Sequence, residues 1–371
     1  MILSTAVGGM LPGTAMASEH ETHISLPGLV GTDEPVAEGV GLAAGEGGSV
    51  RARGYWESVW FRLRKDKLAL VGAGFIVFLF FVAFAGAPLA AHILGHGPNV
   101  PFFSNGGVDS LLRPAKSWTH VEVITASGQT QHQLLALGGD STLGRDEFLR
   151  ILYGAQVSIE VGVGATLLSM TLGLLLGSVA GFFRGWIDTL ISRLTEITMA
   201  FPFLLFVIAL AGIAGTRLDT ITFGFLGQGV ITLVIVFGLF SWFYPARVFR
   251  GITLSLREKE FVEAARMVGA SEWRIIRSHI LPHLVGPIIV LSTLNVAQFI
   301  LAEAGLSFLG LGIKLPTASW GNLLADAPQF LTTRPLLMLW PGIALILTTL
   351  AFNLLGDGLR DALDPRAGGR T

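Results

Sequence analysis

The feature that most constrains this chain is an apolar stretch from Leu68 to Ala91 that no charged residue interrupts. An α-helix rises 1.5 Å per residue, so about 20 residues cross the roughly 30 Å apolar core of a bilayer. The whole chain supports the same interpretation, because 51% of its 371 residues are hydrophobic and only 14% are charged. The sequence therefore predicts an all-α integral membrane protein whose first span is residues 68–91.

Five further segments have the same apolar character. They are predicted as spans at about 158–183, 194–215, 227–246, 284–309 and 336–355, which makes six membrane crossings. The other segments are expected to be a disordered cytoplasmic tail (1–50), a basic juxtamembrane segment (51–67), an extracytoplasmic segment (92–153), an inner loop (251–283) within a five-helix core (154–356), and a cytoplasmic tail (357–371). The start of the chain lacks the basic n-region of a signal peptide, so we do not expect cleavage there.

The basic residues predict the orientation in the membrane. The segments assigned to the cytoplasm hold eighteen of the 25 Lys and Arg residues, and the outer segments hold the other seven. Cytoplasmic loops of membrane proteins are enriched in these residues. Both termini are therefore expected in the cytoplasm. The formal net charge of −1 gives no indication of a nucleic-acid partner.

The extracytoplasmic segment is expected to contain two local structures. The runs SWTHVEVIT and QTQHQLLAL alternate in part between apolar and polar residues and are separated by a short turn, which predicts a β-hairpin. The next stretch, LGRDEFLRILYGAQ, is expected to be a helix lying on the outer surface, with Arg145, Asp146 and Arg150 exposed to water.

Two features predict how the spans pack. Gly173, Gly177, Gly181 and Gly185 recur at four-residue intervals, which leaves a smooth stripe where another helix backbone can approach closely. Pro202 is expected to kink the third span.

The inner loop is amphipathic and charged, although apolar spans flank it. Its pattern predicts a helix over Leu256–Val268, an end at Gly269 in the left-handed conformation, and a second helix from Glu272 with Ser271 as N-cap, stopped by Pro282. Such a loop can dock on a partner protein or rest on lipid headgroups, and the pattern alone does not separate the two.

A family resemblance enters at this loop. Glu263, Ala264, Ala265, Gly269, Leu281 and Pro282 resemble the EAA signature of binding-protein-dependent ABC importer permeases. His279 stands where the usual Ile precedes the Leu-Pro pair, and the sequence HILP is similar to the variant in the dipeptide and oligopeptide branch. LGRDEFLRILYGAQVSIEVG, EAGLSFLGLGIKLPTASWGNLLADA and FNLLGDGLRDALDPR also resemble segments of the second permease of dipeptide, oligopeptide and nickel importers. Residues 1–50 and 117–137 are outside this resemblance.

The resemblance implies a fold, a location and a set of partners. It implies a type I ABC importer permease with six transmembrane helices in a bacterial-type inner membrane, paired with a second permease, cytoplasmic ABC ATPase subunits and an extracytoplasmic substrate-binding protein. The chain has no G-x-x-x-x-G-K-[ST] motif, so ATP hydrolysis is expected in a partner, and neither an enzymatic activity nor a cofactor is expected here.

The resemblance also implies roles for individual residues. Glu263, Ala264, Ala265, Arg266, Gly269, Leu281 and Pro282 are expected to couple the chain to the ATPase. Independently of the resemblance, polar residues within or near apolar spans are candidates for the translocation path: Asn295, Gln298 and Glu303, with Glu196 as a further ionisable group. Each acid could instead serve only to join neighbouring helices.

Several alternatives remain open from the sequence. His279 and His283 are four residues apart and could share a metal, but no third ligand is evident. An ion-coupled secondary transporter would need clustered acids or histidines in mid-membrane, and a membrane-embedded hydrolase would need a nucleophile with a base. Within the importer branch, the cargo is expected to be a dipeptide or oligopeptide, with nickel or another small solute as the alternative.

Overall fold

The computed structural model describes residues 55–102, 105–109, 111–124, 130–141, 143–202, 205–210 and 229–364. The predicted tail at 1–50 and the end of the chain after Asp364 lie outside these residues. The described elements are α1 (Tyr55–Leu63), α2 (Lys67–Phe81), α3 (Ala87–Leu94), β1 (Thr119–Ile124), β2 (Thr130–Leu135), α4 (Glu147–Phe183), α5 (Gly185–Ala200), α6 (Val230–Ser241), α7 (Phe243–Arg257), α8 (Glu260–Met267), α9 (Glu272–Ile275), α10 (Leu281–Phe308), α11 (Trp320–Asp326) and α12 (Leu336–Leu363).

Five helical segments of the described residues are long and apolar enough to cross a membrane. They are Lys67–Leu94, Glu147–Phe183, Val230–Arg257, Glu272–Phe308 and Leu336–Leu363. The predicted third span differs from the structure, because α5 already begins at Gly185 and ends at Ala200, before Pro202. Helix resumes at 205–210, and the remainder of that predicted span lies outside the described residues. The last span is also longer than predicted, since α12 continues to Leu363 and takes up part of the predicted tail.

The predicted surface helix after the hairpin is wrong. Residues 147–183 form one continuous helix of 37 residues, so the stretch beginning at Glu147 is the first part of the second span. Arg145, Asp146 and Arg150 were expected in water, but their exposed fractions are 3%, 0% and 0%. They can be buried because each has an oppositely charged or polar partner within the protein.

The predicted glycine stripe is confirmed at three of its four positions. A side chain at Gly173 would meet Pro245, one at Gly177 would meet the Ala246 backbone, and one at Gly181 would lie 2.7 Å from the Arg250 carbonyl oxygen. Only glycine allows this approach between α4 and α7, so the spacing fixes their relative position. Gly185 does not belong to the contact; its φ of +61° serves the turn between α4 and α5.

Two apolar clusters hold the remaining spans around α4. The first joins α2, α4, α10 and α12 through buried side chains that include Ile76, Ile159, Ile300 and Phe352. The second joins α4, α6 and α10, where the rings of Phe237 and Phe299 stack at a centroid distance of 5.6 Å. Apolar side chains such as Val77 and Phe81 of α2 remain largely exposed, as expected for a surface that faces lipid or another membrane subunit.

The predicted hairpin is confirmed. β1 and β2 pair antiparallel with Thr119 opposite Leu135 and Ile124 opposite Thr130. The hairpin contributes Val121 and Leu135 to a small core with Phe102 and Ala115. The loop after α10 contains the buried helix α11, which begins with a capping box formed by Ser319 and Asn322.

A buried network of charges joins the hairpin region to the spans. Asp140 accepts from Arg145 at 2.8 Å and lies 2.9 Å from the Arg150 guanidinium. Arg150 also donates to Asn99 and to the Pro316 carbonyl oxygen, so it connects three parts of the chain that are far apart in sequence. Removing one member of such a network leaves the others buried without a partner, which makes it a strong local constraint.

Asp146 begins α4 in this same region. Its side chain accepts a hydrogen bond from the Leu149 amide and lies 3.5 Å from His96 Nε2. Burial raises the pKa of Asp146 to about 6, and burial lowers the pKa of His96. The protein therefore disfavours the ionised form of Asp146, although the same side chain caps the longest described helix.

We expect the substitution Gly181→Ala to destabilise the protein by roughly 1–3 kcal/mol, because its methyl group would meet backbone atoms of α7 that cannot move independently. Gly74→Ala is the matched control, since no atom lies within 4 Å of a side chain at that position in α2. The measurement is the thermal melting of both variants purified in detergent. Equal melting temperatures for Gly181→Ala and wild type would contradict the proposed tight contact.

Asp146→Asn should stabilise the protein more at pH 8 than at pH 5. The folded protein raises the pKa of Asp146 from 3.8 to about 6. The favourable contribution of Asp146 to the free energy of unfolding is therefore fully present below pH 3.8 and is lost as the pH rises through about 6. Asparagine retains the N-cap and removes the buried charge, which is worth up to about 3 kcal/mol above pH 6. Thermal melting at the two pH values tests this, with Asp146→Ala as the control that also loses the cap. A gain that is larger at pH 5 would disprove the account.

Candidate functional site

The inner loop at 251–283 folds as a helix, a turn and a helix, as predicted, but its first helix starts later than expected. Leu256 and Arg257 are the last residues of α7, and α8 begins only at Glu260. Lys259 has an extended backbone (ψ 146°), so it separates the two helices. The hydrophobic spacing across 256–268 could not reveal this break, because both helices present apolar residues to the same cluster.

The turn after α8 is the one expected from the sequence. Gly269 has a φ of +85°, its amide donates to the Arg266 carbonyl oxygen at 2.9 Å, and the Ala270 amide donates to the Ala265 carbonyl oxygen at 3.0 Å. These two bonds define a Schellman motif, in which glycine occupies the left-handed position. Ser271 takes the N-cap position of α9 with an extended backbone, but its side chain makes no capping hydrogen bond.

Pro282 does not stop the second helix, contrary to the prediction. A π-helical turn at Ile276–Ile280 connects α9 directly to α10, and Pro282 lies in the first turn of α10. Proline fits the first turn of a helix because its missing amide would have no helical partner there. The inner loop is therefore continuous with a membrane span.

The inner loop is fastened to the end of α4 by three kinds of contact. The Arg257 guanidinium donates to the Phe182 carbonyl oxygen at 2.7 Å, and Arg184 pairs with Glu258 at 2.6 Å. The guanidinium groups of Arg257 and Arg266 lie over the Phe182 ring at 5.8 and 5.5 Å. Because Phe182 is 2% exposed, α8 cannot shift without disturbing the end of α4.

The opposite side of α8 is open. Val262 is fully buried against α4, α7 and α10, whereas Glu263 and Ala264 are exposed. Beyond them Met267 and Val268 are 83% and 89% exposed. A helix with one anchored face and one exposed face of small, acidic and apolar residues has the form of a docking element.

His279 and His283 have structural contacts in this region. The Phe261 ring stacks on the His283 ring at 5.2 Å with an interplanar angle of 7°, and His283 Nδ1 lies 2.7 Å from the His279 carbonyl oxygen. Among the described residues no group of three His, Asp or Glu side chains could hold a metal ion. The ring contacts join α8 to α10.

The three predicted path residues all lie on α10 but have different environments. Glu303 is fully buried and accepts hydrogen bonds from Ser158 at 2.8 Å and Ser307 at 2.7 Å. Asn295 is half-buried, with its amide 3.6 Å from the Met170 sulfur, and Gln298 is exposed. Glu303 thus joins α10 to α4, the alternative role that the sequence left open for this acid, and its assignment to the path stays a prediction.

Sequence reasoning missed the residues that anchor the inner loop. Phe182, Arg184 and Arg257 read as the ordinary ends of spans, yet they form its attachment to α4. Phe182 and Arg257 are 75 residues apart, and nothing in their local patterns links them. The only available signal is the aromatic pair Phe182–Phe183 directly before a basic residue.

The comparisons with known proteins agree with this arrangement. Residues 173–369 match the family described as "Binding-protein-dependent transport system inner membrane component", and residues 54–105 match the "N-terminal TM domain of oligopeptide transport permease C". The chain is 36% identical over 314 residues to the glutathione transport system permease protein GsiD of Escherichia coli O6:K15:H31, covering 85% of this chain and 91% of that protein. It is 34% identical over 311 residues to GsiD of Pectobacterium atrosepticum, covering 84% and 91%.

A solved structure, "Inward facing conformations of the MetNI methionine ABC transporter", contains a chain that aligns with 58% of this chain and 97% of its own length, at 15% identity and a TM-score of 0.48. At this TM-score and identity the solved structure does not identify a family, so the family assignment is based on the sequence matches. Permeases of this family are multi-pass inner membrane proteins that work with an ATPase and a substrate-binding protein and are not enzymes themselves. The chain therefore belongs to the binding-protein-dependent transport system inner membrane components, as an ABC importer permease of the oligopeptide branch.

Proposed function

We propose that this permease imports short peptides and that the inner loop couples the import to ATP hydrolysis in a partner subunit. One observation supports the coupling role most strongly: α8 is anchored on one face to the end of α4 and exposes Glu263 and Ala264 on the other. A force applied to the exposed face passes to α4 through Phe182 and its two arginines.

The residues of the inner loop have different proposed roles. Ala264 is small and exposed, so a partner groove can approach the α8 backbone there, and Glu263 offers a charge that orients the contact. Ala265 and Leu281 pack into the cluster beneath the loop, while Arg266 lies over Phe182. Gly269 forms the turn, and Pro282 starts the span that follows.

A second permease subunit and the orientation of the chain are part of the proposal. Apolar side chains such as Leu190, Leu194 and Phe81 are 46–65% exposed, which supports a further membrane subunit beside this chain as well as lipid. The excess of basic residues in the segments assigned to the cytoplasm supports cytoplasmic termini and an inner loop on the ATPase side.

The peptide cargo is supported by the relatives, which are named as glutathione permeases, and by the match to an oligopeptide permease domain. Glutathione is a tripeptide-like solute with carboxylate and ammonium groups. Nickel is the alternative cargo within the branch, and no described cluster of His, Asp and Glu side chains suits a metal ion.

Ala264→Arg should lower receptor-stimulated ATP hydrolysis and uptake at least tenfold, because a long charged side chain would prevent close docking on α8. The full complex is reconstituted in vesicles with its receptor and ATPase, and uptake of glutathione, trialanine and Ni²⁺ is measured. Ala264→Ser is the matched control and should retain both activities. Undiminished coupling in Ala264→Arg would refute the role of the loop, and wild-type uptake of Ni²⁺ without either peptide would refute the peptide cargo.

The orientation predicts which introduced cysteines a membrane-impermeant maleimide can reach. The chain has no cysteine, so single substitutions give an unambiguous signal. Leu111→Cys, at an exposed position before the hairpin, should react in spheroplasts. Asp361→Cys, at the exposed end of α12, should react only after the membrane is permeabilised. The reverse pattern would mean that the inner loop lies outside the cell.

A further inference from the structure

A polar cavity of about 310 Å³ lies between α5 and α7, close to the anchored end of α4. Ser192, Thr195 and Glu196 of α5 line one side, and Arg247 and Arg250 of α7 line the other. Ionisable side chains along a membrane span are costly unless they face the interior of the bundle or water, and they commonly mark a solute pathway.

The depth of the cavity follows from the glycine contact between α4 and α7. Gly177 forms part of the cavity wall and packs against Ala246. It is six residues before Phe183, the last residue of α4, which corresponds to about 9 Å along the helix. The cavity therefore lies between the inner loop and the middle of the membrane, where a solute that leaves the spans would pass.

The cavity and the exposed apolar stripe of α5 lie on different sides of that helix. Trp186, Leu190, Leu194 and Ile197 recur at helical spacing and form an exposed apolar stripe. At 100° per residue, the cavity-lining positions Ser192 and Thr195 fall on roughly the opposite side of the helix. An occupant of the cavity consequently does not enter from the apolar face that suits lipid.

Among the described residues, the charges that line the cavity do not balance. Arg250 is paired with Asp188, with Nη2 to Oδ2 at 2.8 Å. Glu196 is paired with Arg193 at 2.7 Å. The exposed guanidinium of Arg247 has no hydrogen bond or ion pair with any described residue. One positive charge is left for an anionic group.

We infer that this cavity is a station for the cargo in which Arg247 binds the C-terminal carboxylate of a peptide. The pair with Arg193 uses only Oε2 of the half-exposed Glu196, so its other carboxylate oxygen and the Ser192 hydroxyl can accept hydrogen bonds from the ammonium group or other donors of the same solute. Opposite charges in one polar cavity of this size match a short zwitterionic peptide better than a single anion. This assignment rests on the proposed import of peptides and adds to it the residues that contact the cargo inside the membrane.

The test compares uptake of trialanine with uptake of its C-terminal amide by the complete reconstituted importer. Arg247→Gln should lower trialanine uptake about tenfold, the usual effect of losing one hydrogen bond to a charged group, and should affect the amide little. The receptor is the same in every assay, so its own preference cancels when the trialanine-to-amide ratio of a variant is divided by that of the wild type. Arg247→Lys should retain most of the preference, and Lys65→Gln, which removes an exposed charge near α1, should behave as wild type.

Three other results would distinguish an error in the cavity assignment from an error in the proposed peptide import. If Arg247→Gln melts at the wild-type temperature and keeps the wild-type ratio, the cavity assignment is wrong while peptide import stands. An equal loss for both peptides, together with loss of co-purified phospholipid, would assign Arg247 to a lipid headgroup and overturn the inference. If the wild-type complex imports neither peptide, the proposed function and the cavity assignment both fail.

Discussion

The contact between α4 and α7 is the interaction on which the rest of the structure depends. It is the most extensive helix–helix contact among the described residues, and it is made at backbone distance through Gly173, Gly177 and Gly181. Small residues are effective here because lipid already solvates apolar side chains, so close van der Waals packing is the main source of attraction between spans. The position of α7 on α4 then determines where the inner loop begins.

The same contact brings the attachment of the inner loop and the polar cavity to one part of the molecule. The end of α7 places Arg257 beside the Phe182 carbonyl oxygen, which fastens the inner loop to α4. About two and three turns earlier, the same helix places Arg250 and Arg247 at the cavity next to α5. α8 and the walls of the cavity are therefore joined through one helix pair, which is the connection that the proposed coupling to an ATPase outside the membrane requires.

The opposite end of α4 is held by buried ion pairs instead of close backbone packing. There Asp140, Arg145 and Arg150 form a buried network, and Arg150 reaches Asn99 and Pro316 as well. One end of the 37-residue helix is thus held by charges and the other by an aromatic ring under two guanidinium groups. The hairpin region and the inner loop are therefore attached to opposite ends of the same continuous helix.

The sequence alone determined the features that depend on local pattern. The apolar runs gave five spans that agree with the described helices, the alternation gave the hairpin, the glycine spacing gave a close helix contact, and Gly269 gave the turn of the inner loop. The family resemblance of the EAA loop was confirmed by the sequence matches. Only the tertiary structure decided which charges are buried, that α4 runs unbroken from Glu147, that Glu303 joins two helices, and that Arg247 faces a cavity. Several of those properties depend on distant partners, because Arg150 bonds to Asn99 and Pro316 and Glu303 accepts from Ser158, 145 residues away. Local spacing does not indicate such partners.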